Sequence, residues 1–120
     1  MIHSFRDLIV WQKSMDLAEQ VHQATKLFPK DELYGLTSQM RRAAVSVPSN
    51  ITEGQARNST GEFIQFLGIA QGSLAELETQ AELAFRLTLL SAESREQLVS
   101  AAQESAKMLH ALIAKLRVRR

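Results

Sequence analysis

A stripe of polar residues between Gln39 and Glu53 has the residue types and the spacing for ligand recognition. Its members recur every three or four residues, so on a helix they share one edge: Gln39, Arg42, Ser46, Asn50 and Glu53. We call these five residues the polar ladder. The ladder can satisfy its own polar groups and the backbone around Pro48, which predicts a structural or assembly role. The alternative is direct ligand contact, in which the guanidinium groups of Arg41 and Arg42 bind phosphate or carboxylate oxygens.

The spacing of glutamates and histidines decides whether the sequence predicts a metal site. A di-iron carboxylate site in a helical bundle needs Glu-x-x-His on two helices and a further Glu on each of the other two. Glu19 and His22 provide this spacing once, but Lys107 stands three residues before His110. The sequence therefore predicts no metal site.

Catalytic constellations are also missing from the sequence. Glu76, Glu78 and Glu82 are closely spaced carboxylates, but Glu78 and Glu82 lie four residues apart on a polar helix face, as on a solvated surface. The chain has no Gly-x-Ser-x-Gly motif, no glycine-rich phosphate loop and no cysteine. We expect no enzyme activity, no catalytic residue and no cofactor.

Length and composition limit the class of protein. The 120 residues suit one domain, 1–120, and apolar residues make up 45% of the chain against 22% charged residues. The chain does not start with a basic segment and an apolar run, so no signal peptide is predicted. No apolar stretch reaches the roughly 18 residues of a membrane span. We expect a cytoplasmic protein that has no membrane partner.

The composition favours helix, because Leu, Ala, Gln and Glu are abundant. Apolar periodicity and capping signals predict four helices, at about 6–27, 32–56, 59–90 and 91–116. Ser59 and Glu62 form a capping box at the start of the third helix, Ser4 with Asp7 resembles one before the first helix, and Ser91 caps the fourth. The fourth helix also carries a heptad seam: Leu98, Ala102, Ser105, Leu109, Leu112 and Leu116. Because the connections are short, successive helices should be antiparallel. The predicted fold is an all-α, antiparallel up-down-up-down four-helix bundle.

Proline and glycine modify two of these helices. Pro48 predicts a kink in the second helix, because it donates no backbone hydrogen bond and its ring crowds the carbonyl of Ala44. Gly54 marks the exit from that helix. Gly68 and Gly72, four residues apart in the third helix, allow another helix to approach closely, or simply lower helix stability.

The first helix carries more apolar surface than one core requires. One stripe fits the core of the bundle: Val10, Leu17, Val21, Ala24 and Phe28. A second stripe lies about 120° away: Leu8, Trp11, Met15, Ala18 and His22. It needs another packing neighbour inside the domain or a second subunit. We favour the subunit, because an exposed stripe that includes Trp is typical of interfaces.

The last sixteen residues carry a net positive charge. Five cations and no acid occur between 105 and 120: Lys107, Lys115, Arg117, Arg119 and Arg120. The basic tail, 115–120, indicates an anion-attracting patch. The alternative is that these cations complement a helix C-terminus and keep it solvated.

Three long segments resemble a known bacterial family: FRDLIVWQKSMDLAEQV, FPKDELYGLTSQMRRAAVSVPSNITEG and EFIQFLGIAQGSLAELETQ. The family consists of four-helix bundles, and its founding members are encoded in intervening sequences of large-subunit ribosomal RNA genes. Accessory variability-determinant proteins of diversity-generating retroelements are similar. The resemblance runs from Phe5 to about Leu116. Seven positions match the family pattern: Gln39, Arg42, Ser46, Pro48, Asn50, Glu53 and Gly54.

The resemblance implies a ring-like homopentamer, which agrees with the second apolar stripe. The likeness to the retroelement accessory proteins also implies binding of nucleic acid and a reverse transcriptase. Those accessory proteins are basic, however, whereas this chain has a net charge of only +1. We therefore expect a non-enzymatic homo-oligomer that contacts RNA or DNA backbones through five cations: Arg41, Lys115, Arg117, Arg119 and Arg120. The alternative is a scaffold that binds a protein partner and has no nucleic-acid role.

Overall fold

Four α-helices form a bundle in the computed structural model. The structure describes residues 4–119, the last of them by its backbone alone. The helices are α1 (Ile9–Thr25), α2 (Ser38–Gln55), α3 (Thr60–Arg86) and α4 (Ala92–Arg119). No strand occurs in this part of the chain. The prediction of an all-α four-helix bundle is therefore confirmed.

Each helix packs against its neighbours along the chain, and α1 also contacts α4, so the four helices surround one core. The largest fully buried apolar side chains come from all of them: Leu17, Met40, Ile51, Leu67, Leu74, Leu77, Leu98 and Leu109. Contacts between α2 and α3 follow an opposed order. Ser46 is bonded to Ser73, while Gly54, later in α2, lies against Phe66, earlier in α3.

The start of α1 differs from the prediction. Ser4 accepts a hydrogen bond from the Arg6 backbone N–H at 3.2 Å and caps a short 3-10 turn, Phe5–Asp7, instead of α1. Leu8 then adopts extended backbone angles (φ −76°, ψ 122°), and α1 begins at Ile9. The Leu8 side chain packs into the core of the chain, with only 8% of its surface exposed.

The connection between α1 and α2 is longer than predicted. A 3-10 turn at Lys30–Glu32 and a π-helical turn at Leu33–Thr37 precede the regular helix, which begins at Ser38 rather than at Glu32. The break in helical geometry lies at Gly35 (φ −111°, ψ −113°). From Ser38 onwards α2 is continuous through the buried Pro48, and the kink at Pro48 stays a prediction.

Side-chain caps begin α3 and α4 as predicted. The Ser59 hydroxyl oxygen accepts a hydrogen bond from the Glu62 backbone N–H at 3.2 Å, and the hydroxyl donates to Glu62 Oε1 at 3.1 Å. Ser91 Oγ likewise accepts from the Ser94 backbone N–H at 3.0 Å. Both helix starts were therefore readable from sequence.

The end of α3 comes four residues before the predicted end, at Arg86. The backbone N–H groups of Thr88 and Leu89 donate to the carbonyl oxygens of Phe85 and Ala84, at 2.9 and 2.8 Å. These two bonds form a Schellman motif, which requires a left-handed residue just beyond the helix. Thr88 occupies that position with φ 62°, although it is β-branched.

The heptad seam predicted in α4 faces the core. Its members are buried, except for the half-buried Leu112: Leu98, Ala102, Ser105, Leu109, Leu112 and Leu116. Because α4 continues to Arg119, residues 115–119 of the predicted basic tail form its last helical turn. No helix described between residues 4 and 119 is both long enough and apolar enough to cross a membrane.

Candidate functional site

The middle of the polar ladder connects α2 to α3 through hydrogen bonds. The Ser73 hydroxyl donates to Ser46 Oγ at 2.8 Å. Asn50 Nδ2 donates to the same Oγ at 2.9 Å and to the Ser46 carbonyl oxygen at 2.8 Å. Ser46 and Asn50 therefore satisfy each other and a residue of α3, which supports a structural role for this part of the ladder.

The C-terminal end of the ladder also makes contacts within the chain. Glu53 pairs with Arg57, one helical turn later, and not with Arg42. Gly54 lies in the last turn of α2, which ends at Gln55. A Cβ atom at position 54 would lie 2.7 Å from the Cβ of Phe66. The family pattern at position 54 is thus explained by close packing.

The N-terminal half of the ladder borders a polar groove between α2 and α3. Side chains of both helices line it: Gln39, Arg42, Ala43, Ser46, Ser73, Glu76 and Gln80. We call this the ladder groove. The Ser46–Ser73 bond closes one end, and the opposed order of contacts then places Arg42 across from Glu76 and Gln39 across from Gln80. Arg42 and Glu76 are exposed at the rim.

Gln80 is the unusual residue of the ladder groove. Its Oε1 atom is buried and has no hydrogen-bond partner within the described residues. Leaving a buried amide oxygen without a donor costs on the order of 1–3 kcal/mol. Gln80 was not predicted as a site residue from the sequence. A signal was present, because Ser73, Glu76 and Gln80 recur every three or four residues along one edge of α3.

Arg41, predicted to contact nucleic acid, joins α1 to α2 by hydrogen bonds. Its Nε donates to Thr25 Oγ1 at 2.8 Å, and one terminal nitrogen donates to the His22 carbonyl oxygen at 3.4 Å. The side chain is half-buried. Arg41 therefore ties the end of α1 to the start of α2 and has donors already in use.

Lys115 and Arg117, also predicted to contact nucleic acid, lie at the opposite end of the bundle. Lys115 lines an apolar groove with Leu8, Ile9 and Val10, so the last turns of α4 lie beside the start of α1. Arg41 is bonded near the end of α1, whose 17 residues span about 25 Å. Lys115 and Arg117 are exposed. The Arg119 side chain and Arg120 lie outside the described part.

The predicted interface stripe on α1 divides into buried and exposed members. Leu8 packs into the core of the chain, and its contact with a second subunit stays a prediction. Trp11 is half-buried and meets the Phe5 ring edge-on, with the ring centroids 5.2 Å apart. Ala18 is also half-buried, whereas Met15 and His22 are exposed. Part of the second stripe therefore packs inside the chain, and Met15 is its accessible apolar residue.

Two of the three closely spaced carboxylates of α3, Glu78 and Glu82, are used in surface pairs. Glu78 accepts a hydrogen bond from Gln103 at 3.2 Å. Glu82 contacts Arg86 at 3.1 Å and Arg95 at 3.3 Å. Among the side chains described, no three His, Asp or Glu residues cluster as metal ligands. The ladder groove and the basic end of α4 thus remain as the candidate functional surfaces.

Comparisons with known proteins agree with this architecture. None of the curated proteins compared with the chain matches it. A solved structure of a protein of unknown function, from the S23 ribosomal protein family of Bacteroides thetaiotaomicron, is similar, with a TM-score of 0.81 and 27% identity. The match covers 88% of this chain and 96% of the other. The model of one family matches residues 6–111, and the chain therefore belongs to the 23S rRNA-intervening sequence protein family.

Proposed function

We propose that the chain is a non-enzymatic homo-oligomer that binds RNA or DNA backbones through the last turns of α4. The observation that carries this proposal is the exposure of Lys115 and Arg117 on a regular helix, in a segment without acidic residues from 105 onwards. Arg6 is exposed beside the start of α1, at the same end of the bundle.

Assembly into a pentamer is the second part of the proposal. It rests on the resemblance noted in the sequence and on the accessible residues of α1, Met15 and His22, beside the half-buried Trp11. A fivefold ring repeats the basic end of α4 five times. Such a concentration of cations attracts phosphate backbones more strongly than one copy does.

An up-down-up-down course of the helices is part of the same proposal. The Ser46–Ser73 and Gly54–Phe66 contacts support it for α2 and α3. Between α3 and α4 the same opposed order recurs, because Glu82 pairs with Arg95 and Glu78 with Gln103. This course puts the start of α1 and the end of α4 at one end of each subunit, where a ring can present them together.

The test is binding of labelled structured RNA and single-stranded DNA, followed by fluorescence anisotropy across a salt series. Backbone contacts release counterions, so affinity should fall steeply as salt rises. Micromolar or tighter binding with such a slope is the expected result. Absence of binding at low salt, where electrostatic attraction is strongest, would contradict the proposal.

A charge-matched pair of variants locates the contact surface. In one, the four basic-tail residues are replaced by glutamine: Lys115, Arg117, Arg119 and Arg120. In the control, four cations elsewhere are replaced: Lys26, Lys30, Arg86 and Lys107. Both variants lose the same charge, and both keep the buried Leu116 that a truncation would remove. We expect the tail variant alone to lose affinity and salt dependence, and an equal effect of both would contradict a local contact surface.

A protein-interaction scaffold remains the second candidate, and exposed apolar residues near the α1–α2 connection favour it. Leu27 and Tyr34 have 87% and 94% of their surface exposed, and Leu33 is also exposed. Large apolar side chains at such exposure are typical of protein contacts when they cluster. A partner recovered with the wild type but lost with Leu27→Ser and Tyr34→Ser, in a protein that binds no nucleic acid, would favour this function.

A further inference from the structure

The two walls of the ladder groove offer opposite hydrogen-bonding chemistry. The α2 wall carries the Arg42 guanidinium, which only donates, and the Gln39 amide. The α3 wall carries the Glu76 carboxylate, which only accepts, and the orphan Oε1 of Gln80. None of the ion pairs found in the described part of the chain joins Arg42 to Glu76. Both charged side chains are exposed at the rim of the groove.

The floor of the groove cannot supply the missing donor to Gln80. Ser73 donates its hydroxyl hydrogen to Ser46, and Asn50 donates to Ser46 as well. The Ser46–Ser73 bond lies about two helical turns from Gln80, at the closed end of the groove. A ligand that donates to Gln80 Oε1 and offers an acceptor to Arg42 would therefore satisfy groups on both walls of the groove.

The charges on the two walls limit the class of ligand. A phosphate group suits Arg42 but is repelled by Glu76 on the opposite wall. A stacked nucleobase is disfavoured because no aromatic side chain lines the groove. A group with an ammonium and a carboxylate a few bonds apart meets both walls and leaves no charge unmatched.

We infer that the ladder groove binds a free α-amino acid as its zwitterion. The carboxylate accepts hydrogen bonds from Arg42 and Gln39 on α2, and the ammonium donates to Glu76 and to Gln80 Oε1 on α3. The amino-acid side chain points out of the open groove. This site lies on α2 and α3, away from the basic end of α4, and is independent of the proposed nucleic-acid binding.

The experiment tests the twenty L-amino acids one by one against the full chain, by isothermal titration and by the shift in melting temperature. At least one should bind at millimolar concentration or below. Its N-acetyl derivative lacks the ammonium, its methyl ester lacks the carboxylate, and both should bind about tenfold or more weakly, since each loses a charged hydrogen bond. Glycine betaine, which has both charges but no N–H donor, should not bind.

Variants place the ligand in the groove. Arg42→Gln and Glu76→Gln change exposed side chains, so the fold should persist while affinity falls about tenfold or more. Arg57→Gln removes a cation at the far end of α2 and should leave affinity unchanged. Gln80→Leu should weaken binding and raise the melting temperature of the free protein, because a buried acceptor without a donor is removed.

Three results would overturn the inference. One is that no amino acid binds at millimolar concentration. Another is that binding survives Arg42→Gln and Glu76→Gln undiminished. The third is that Gln80→Leu stabilises the protein without any loss of affinity, which would mean that the orphan oxygen faces water alone.

Discussion

A Cβ atom at Gly54 would lie 2.7 Å from the Cβ of Phe66 and 3.0 Å from Cδ1 of Phe63. Real Cβ atoms do not come this close to another carbon, so the approach of α2 to α3 depends on glycine at this position. The contact lies near the end of α2 and the start of α3. Together with the Ser46–Ser73 bond, it sets the register of the two helices that enclose the ladder groove.

Gly54→Ala should therefore destabilise the protein. Forcing a methyl group into a packed contact costs typically about 1–3 kcal/mol, which outweighs the gain of up to about 1 kcal/mol from the better helix propensity of Ala. Chemical denaturation at fixed protein concentration measures the free energy of unfolding. Fixed concentration matters because assembly adds to apparent stability.

Gly68→Ala and Gly72→Ala are the matched controls, since nothing lies within 4 Å of a Cβ at either position. Each should stabilise the single chain by about 0.5–1 kcal/mol through lower backbone entropy in the unfolded state. If Gly54→Ala behaves like these two, α2 and α3 do not depend on close approach at Gly54.

Thr88→Gly should stabilise the chain by about 1 kcal/mol. Thr88 takes the left-handed position of the Schellman motif (φ 62°), and this conformation costs a residue with a Cβ atom roughly 1–2 kcal/mol. Glycine avoids that cost but has more freedom to lose on folding. Thermal or chemical denaturation measures the change, and Thr79→Gly, in the middle of α3, is the opposite control and should destabilise. A loss of stability in Thr88→Gly would show that its side chain contributes more than its backbone angle costs.

Arg41→Lys should lower stability by about 1 kcal/mol and leave nucleic-acid affinity unchanged. Lysine keeps the charge but cannot reproduce the planar donor geometry that reaches Thr25 Oγ1 and the His22 carbonyl oxygen together. A double-mutant cycle with Thr25→Val measures the coupling between the two side chains. Unchanged stability with weaker nucleic-acid binding would return Arg41 to the role predicted from sequence.

Patterns that repeat along one helix were predictable from the sequence. The heptad seam of α4 and the caps at Ser59 and Ser91 depend on residues three or four apart. Where the outcome depended on a second element, sequence reasoning failed. The extended Leu8 and the break at Gly35 arise where the chain turns between helices, and no periodicity marks them.

The candidate site was likewise predictable only in the part that lies on a single helix. The polar ladder was visible because it lies on one helix, but its opposite wall on α3 was not assigned to it. Pairing the walls requires the register between α2 and α3, which Gly54 and Ser46 set by contact with Phe66 and Ser73. Arg41 and Lys115 were grouped by charge alone, and charge carries no information about which end of a bundle a residue occupies.

Leu8→Ala and Met15→Ala should separate folding from assembly. Leu8 is buried at 8% exposure, so its truncation should cost about 2–5 kcal/mol of unfolding free energy. Met15 is 38% exposed on the same stripe, so its truncation should leave the helical content and unfolding of a dissociated subunit nearly unchanged while weakening the oligomer. Light scattering across a dilution series measures assembly, and circular dichroism measures folding. An oligomer that resists dilution equally in the wild type and in Met15→Ala would place the subunit interface on another face of the bundle.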